Sequence, residues 1–311
     1  MDPLAVAIMR TVCFADALGA ALTPVEIHNW LGIDCGCAAT FSAVCAALET
    51  DQVLRSHLVF QDGFVAVRGR AELVSLRLER LAVAEEKWVI ALRAMRRIRH
   101  VPWVHFAAVC NTVAMGLPRR ESDIDIFLIT EPGRLWAVRL LVHALLAPRS
   151  LARRGSVVQD RICVSFSVTK KATALAPVLK RPADPYMAIW LLTLAPVVEK
   201  NGMAAALWAA NPWLVAQIPN AAAKRSAPAR TLAPSTIARL VERFCGGPLG
   251  ALINRAARRV QYPRILSHRK SLVHGNGTDV VVSDDMLKFH EADRRDAIRE
   301  AFYERAHRYG V

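Results

Sequence analysis

Residues 124–130, Ile-Asp-Ile-Phe-Leu-Ile-Thr, read as a buried β-strand, yet one acid, Asp125, stands inside the run and another, Asp123, immediately before it. Side chains alternate along a strand, so both carboxylates face the same way, about 7 Å apart at their Cα atoms, while the other face is apolar. The strand therefore belongs to a sheet whose acid side meets water or a cation, because two uncompensated buried carboxylates are too costly. Hard oxygen ligands at that spacing suit magnesium. A solvated acid pair at a strand end is the plainer explanation, and the Asp-x-Asp pattern alone does not choose between them.

The residues around the pair set the fold class. Residues 104–109 form a second buried strand ahead of it, and 161–169 alternate as a third, after a helix over 134–147. Toward the N-terminus, Leu4, Ile8, Val12 and Ala15 mark one helix. Thr23-Pro24-Val25-Glu26 spells a capping box that opens a second helix, and residues 38–49 make a third. Asp62-Gly63 between two apolar runs is a hairpin signal. Three short helices closed by a hairpin give a winged-helix-like domain over 1–70. A connecting helix over 71–100 carries Leu73, Leu76, Leu81, Trp88 and Met95 on one face.

The sheet core is expected over 101–182 and a helical C-terminal region over 183–311, with helices at 185–198, 203–208, 235–260 and 292–309 and an Ala/Pro-rich linker at 220–234. The expected class is α+β, rich in helix around a small mixed sheet. The length of 311 residues leaves room for two or three domains.

Asn111-Thr112 follow the first strand, and ten residues separate Thr112 from Asp123 in Glu121-Ser122-Asp123-Ile124-Asp125. Strand, turn of small residues, basic stretch, then an acid pair opening an apolar strand resembles the nucleotidyltransferase superfamily that includes DNA polymerase beta. Ala84-Glu85-Glu86-Lys87-Trp88, Gly133-Arg134-Leu135-Trp136, Ala210-Asn211-Pro212-Trp213 and Met286-Leu287-Lys288-Phe289-His290 are similar to an uncharacterised bacterial group of nucleotidyltransferase-domain proteins, so the likeness covers most of the chain. It implies a magnesium-dependent transfer of a nucleoside monophosphate from a nucleoside triphosphate onto a hydroxyl of RNA, protein or a small molecule, releasing pyrophosphate. Asp123 and Asp125 are then the catalytic ligands of a two-magnesium site, and Asn111, Thr112, Ser122, Arg120 and Arg134 the nucleotide contacts. Arg119, Arg139, Arg153 and Arg154 are further basic neighbours.

Two departures leave a second reading open. A third carboxylate is expected on a later strand, where this chain offers Ser165 and Ser167, with Asp160 just ahead. Asn111 also stands where the family has glycine, filling space that glycine leaves for a phosphate. A catalytically degenerate relative that binds nucleotide, nucleic acid or a protein partner is the alternative.

Charge and hydropathy narrow the rest. A net charge of +14 points to an acidic ligand. The mean hydropathy of +0.23 prompts a membrane check. The uncharged residues 201–223 include Asn211, Pro212, Gln217, Pro219 and Asn220, which argue against a span. Without a secretory start, and with seven unevenly spaced cysteines, the chain is expected to be cytoplasmic with reduced thiols. His28, Cys35, Cys37 and Cys45 lack the paired spacing of a zinc site. Trp136 and Trp190 follow the acid pair and are candidates to stack on a base. The third N-terminal helix has no arginine, lysine, asparagine or glutamine, which speaks against reading DNA bases.

Overall fold

Thr23 accepts a hydrogen bond from the Glu26 amide at 3.2 Å while the Glu26 carboxylate accepts from the Thr23 amide at 2.8 Å, closing the capping box that starts α2 (Pro24–Trp30) behind α1 (Pro3–Ala17). The computed structural model describes residues 1–149, 151, 157–223, 230–233, 235–273, 278–290 and 293–311. The third helix, α3 (Phe41–Thr50), starts later than 38 because Thr40 caps it, accepting from the Ala43 amide at 3.2 Å. A short α4 (Gln52–His57) follows that the apolar pattern did not announce, and the Asp51 carboxylate caps it. β1 (Leu58–Gln61) and β2 (Phe64–Val67) pair through Asp62 and Gly63, whose φ angles of 52° and 79° are the left-handed pair that a two-residue hairpin turn requires.

α5 (Glu72–Ile98) leads to β3 (Val104–Val109), the single turn α6 (Asn111–Ala114), β4 (Ile124–Thr130), α7 (Leu135–Leu146) and β5 (Ile162–Thr169). Then come α8 (Pro185–Thr193), β6 (Ala195–Glu199), α9 (Met203–Ala209), α10 (Trp213–Gln217), α11 (Thr236–Cys245), α12 (Pro248–Val273), β7 (Val280–Val282), β8 (Met286–Phe289) and α13 (Arg295–Arg308). The fold is α+β. Its six-stranded sheet has the order β6-β3-β4-β5-β8-β7, with β4 and β5 parallel and the other neighbours antiparallel.

The C-terminal region is not purely helical, because it supplies β6, β7 and β8 to this sheet. The expected helix over 185–198 divides into α8 and β6: Pro196 has no amide to donate in a helix interior, and Val197-Val198 are β-branched residues that complete the edge of β3. The helix expected over 235–260 breaks at Gly246-Gly247 into α11 and α12.

The sheet separates two cores by period-two alternation. Phe106, Phe127 and Phe166 meet Trp190 of α8 on one face, with Phe127 and Trp190 centroids 5.2 Å apart. Ala107, Ile126 and Leu128 pack under α5 and α7 on the other. α13 folds back onto α1, where Phe302 meets Phe14 edge-on at 5.6 Å, so the last helix closes against the first. Among the described residues no helix is long and apolar enough to cross a membrane.

Candidate functional site

β3 ends at Val109, and Asn111 turns the chain with a φ of 55°, a left-handed angle that asparagine tolerates better than most residues. Its side chain points back to the neighbouring strand and donates from Nδ2 to Asp125 Oδ2 at 2.8 Å. Asn111 thus supplies the left-handed turn and also donates to an acid of β4. Past the turn, the buried Arg77 of α5 donates to the carbonyls of Met115 and Gly116 at 2.9 and 2.7 Å and pairs with Glu26. Gly116 has a φ of 68°, and an added Cβ there would lie 3.0 Å from Leu81 and 3.3 Å from Arg77.

Asp125 sits opposite Cys163 in the parallel pairing of β4 and β5. Its other oxygen accepts from Ser165 Oγ at 3.1 Å. Asp123, Asp125 and Cys163 can bring one ligand atom each within 4.8 Å of one another. Among the described residues no third carboxylate joins this group. Asp160, the acid nearest in sequence to β5, instead accepts from Lys87 Nζ at 2.7 Å. That ammonium is buried, and it also donates to the carbonyls of Arg120 and Ser122 at 3.0 and 2.8 Å, fixing the loop ahead of the acid pair.

A cleft of about 950 Å³ opens over the pair, walled by the N-terminal region, the sheet and α13. Asn111, Thr112, Asp123 and Asp125 all line it, as do Arg119 and Arg139. Ser122, Arg120 and Arg134 are not among its lining residues. Ser122 Oγ donates to the Arg119 carbonyl, and Arg120 extends into solvent against Glu86 at 2.8 Å. Arg134 is buried, donates to the carbonyls of Gly246 and Gly247 and stacks over Trp103. Arg153 and Arg154 lie outside the described residues. Trp190 lines the cleft but is 2% exposed and wedged between phenylalanines, and Trp136 is buried with its indole donating to Asp284. Among the described residues His28, Cys35, Cys37 and Cys45 form no three-ligand group.

Sequence reasoning missed much of the basic wall. Arg70, Arg80, Arg294, Arg295 and Arg305 join Arg119 and Arg139, giving seven arginines against the four aspartates Asp16, Asp123, Asp125 and Asp293. Asp16 is taken by Arg305 and Arg70, and Asp293 by Arg295. Arg119 has no ion-pair partner among the described residues. Burial, then Arg119 and Arg77, hold the Arg80 guanidinium below its ordinary value. Burial and then Asp125 push both the Cys110 thiol and the Tyr186 phenol well up, so both stay protonated beside the acids. Cys163 could have been found by matching the period-two positions of β5 to those of β4; the arginines come from distant elements and carry no local signal.

No family model matches the chain, and no curated protein or solved structure does either.

Proposed function

We propose that the cleft binds a nucleoside triphosphate as its divalent-metal complex, and that the chain is a nucleotidyltransferase-like protein whose transfer chemistry is degenerate. One juxtaposition carries the reading: an acid pair shares a cleft with a cluster of like-charged arginines, Arg80 beside Arg119, which a polyanion would neutralise. A free anion would be repelled by Asp123 and Asp125, whereas a metal-bound phosphate satisfies both charges at once. The two carboxylates fit one oxygen-preferring cation such as Mg2+, and the soft Cys163 thiol fits it poorly as a third ligand. Asp123 and Asp125 would hold that cation, which would screen phosphate charge. Thr112 at the turn and Arg119 would meet the phosphates.

Loss of transfer is supported by the donor set. Cys163 and Ser165 occupy the part of β5 facing Asp125, neither supplies a negative charge, and Asp160 is committed to Lys87. Among the described residues no third carboxylate joins Asp123 and Asp125 to take a proton from an acceptor hydroxyl. A second reading, active magnesium-dependent transfer to RNA, protein or a small molecule, is favoured by the intact Asp123-Asp125 pair. Incubation with each α-phosphate-labelled nucleoside triphosphate and magnesium separates the two. Saturable binding without label transfer or pyrophosphate release supports the first; pyrophosphate release abolished by Asp125→Asn supports the second.

A further inference from the structure

α11 and α12 carry more exposed apolar side chains than a water-facing surface explains. On α11, Ile237, Leu240 and Phe244 recur at helical spacing and are 60%, 51% and 77% exposed. On α12, Leu249, Leu252, Ile253 and Val260 make a second stripe, with Leu249 and Leu252 53% and 59% exposed. Neither stripe is a displaced core, because the opposite sides of both helices are anchored. Asn254 Oδ1 accepts from the Ala137 amide at 3.0 Å, Gln261 donates to the Trp136 carbonyl at 2.8 Å, and Glu242 accepts from Lys200 at 2.7 Å.

The exposed charges that α11 and α12 themselves carry beside the stripes are arginines, while Arg258 of α12 pairs with Asp284 at 2.8 Å. Arg239, Arg243, Arg255 and Arg259 are all exposed, and residues 243–273 contain no aspartate or glutamate. The one acid of α11, Glu242, is turned inward to Lys200 and the Trp103 amide. We propose that α11 and α12 form an in-plane docking surface for an anionic phospholipid bilayer, with the apolar stripes entering the headgroup boundary and the arginines meeting lipid phosphates.

The observations select this occupant. A second copy of the chain would set the same arginines against one another with no acid between them. Nucleic acid would use the arginines and leave Phe244, Leu249 and Leu252 in water. An acidic protein groove wraps an amphipathic helix, but these helices are already held along one side. The surface peripherally docks rather than spans, since no described helix is long and apolar enough to cross.

The test is co-sedimentation of the full chain with phosphatidylcholine vesicles, with and without phosphatidylserine, for the wild type and for Phe244→Ser combined with Leu252→Ser. Both positions are exposed and both replacements keep the charge, so thermal melting should be unchanged. The expected result is binding only to phosphatidylserine vesicles, weakened at least ~10-fold by the two serines and by high salt. No binding to either vesicle overturns the proposal. Equal binding by the serine variant overturns it too, since adhesion is then bulk charge. A dimer in light scattering that the serines dissociate assigns the surface to a second copy instead.

Discussion

Lys87 Nζ lies 2.7 Å from Asp160 Oδ1, so the acid just ahead of β5 is held by an ion pair to α5. The lysine is buried and the Asp160 side chain 39% exposed, so the ammonium depends on its acid and two carbonyls while the acid can still be reached by water. Lys87→Met leaves the Arg120 and Ser122 carbonyls without their donor and is expected to cost about 3 kcal/mol. Asp160→Asn keeps an acceptor but leaves the buried ammonium without its counter-charge and should cost about 3 kcal/mol as well. Urea unfolding measures both. If Asp160→Asn abolished nucleotide binding at unchanged stability, Asp160 would belong to the site after all.

Asn111 occupies a left-handed turn and also donates to Asp125. Asn111→Gly keeps the turn and removes one hydrogen-bond donor that competes with a cation for Asp125, so magnesium-nucleotide affinity should rise, with stability changed by less than about 1 kcal/mol. Asn111→Ala loses the hydrogen bond and strains the backbone, costing about 1–2 kcal/mol. Calorimetry and thermal melting on the two variants check the contrast. An affinity lowered by glycine would mean that Asn111 itself contacts the ligand.

Two half-buried histidines in the cleft wall, His143 and His290, are expected to make the fold acid-sensitive. Burial and Arg139 hold His143 down at about 4, and burial and Lys288 hold His290 down at about 3, against 6.5 for either in an unfolded chain. Below pH 6.5 the unfolded chain binds protons that the folded one refuses, so stability present above 6.5 is lost as pH falls toward 4 and 3. Tm should decline across that window. His143→Gln with His290→Gln should flatten the decline; an unchanged slope would place its cause elsewhere.

Arg295 is buried among Asp184, Asp293 and the Val178 carbonyl, with the Asp293 carboxylate 2.8 Å away, and it ties the start of α13 to the start of α8. Arg295→Met strands two nearly buried carboxylates and should cost about 3–5 kcal/mol. Chemical denaturation would reveal it, and a loss under 1 kcal/mol would mean that both acids find other partners.

Local chemistry was legible in the sequence wherever a few consecutive residues decide the outcome. Thr23 and Glu26 close their capping box, Asp62-Gly63 make the hairpin turn, and Asp123 with Asp125 line a cleft at the start of β4. What depends on distant partners was not. Pro196-Val197-Val198 looked like the end of a helix until the open edge of β3 is considered, and Arg120 lay beside the acid pair in sequence but follows Glu86 of α5 into solvent. Besides Arg119 and Arg139, the arginines lining the cleft come from the segment after the hairpin, from α5 and from the α13 end, brought together only when α13 packs on α1.

Titration of each of the four common nucleoside triphosphates into the protein by calorimetry, with and without magnesium and repeated with Asp123→Asn/Asp125→Asn, tests the proposed site most directly. Saturable heat with at least one nucleotide, lost without magnesium and lost in the double variant, is the expected result. Absence of binding by all four, or binding unaffected by the double substitution, would contradict a metal-nucleotide site at Asp123 and Asp125.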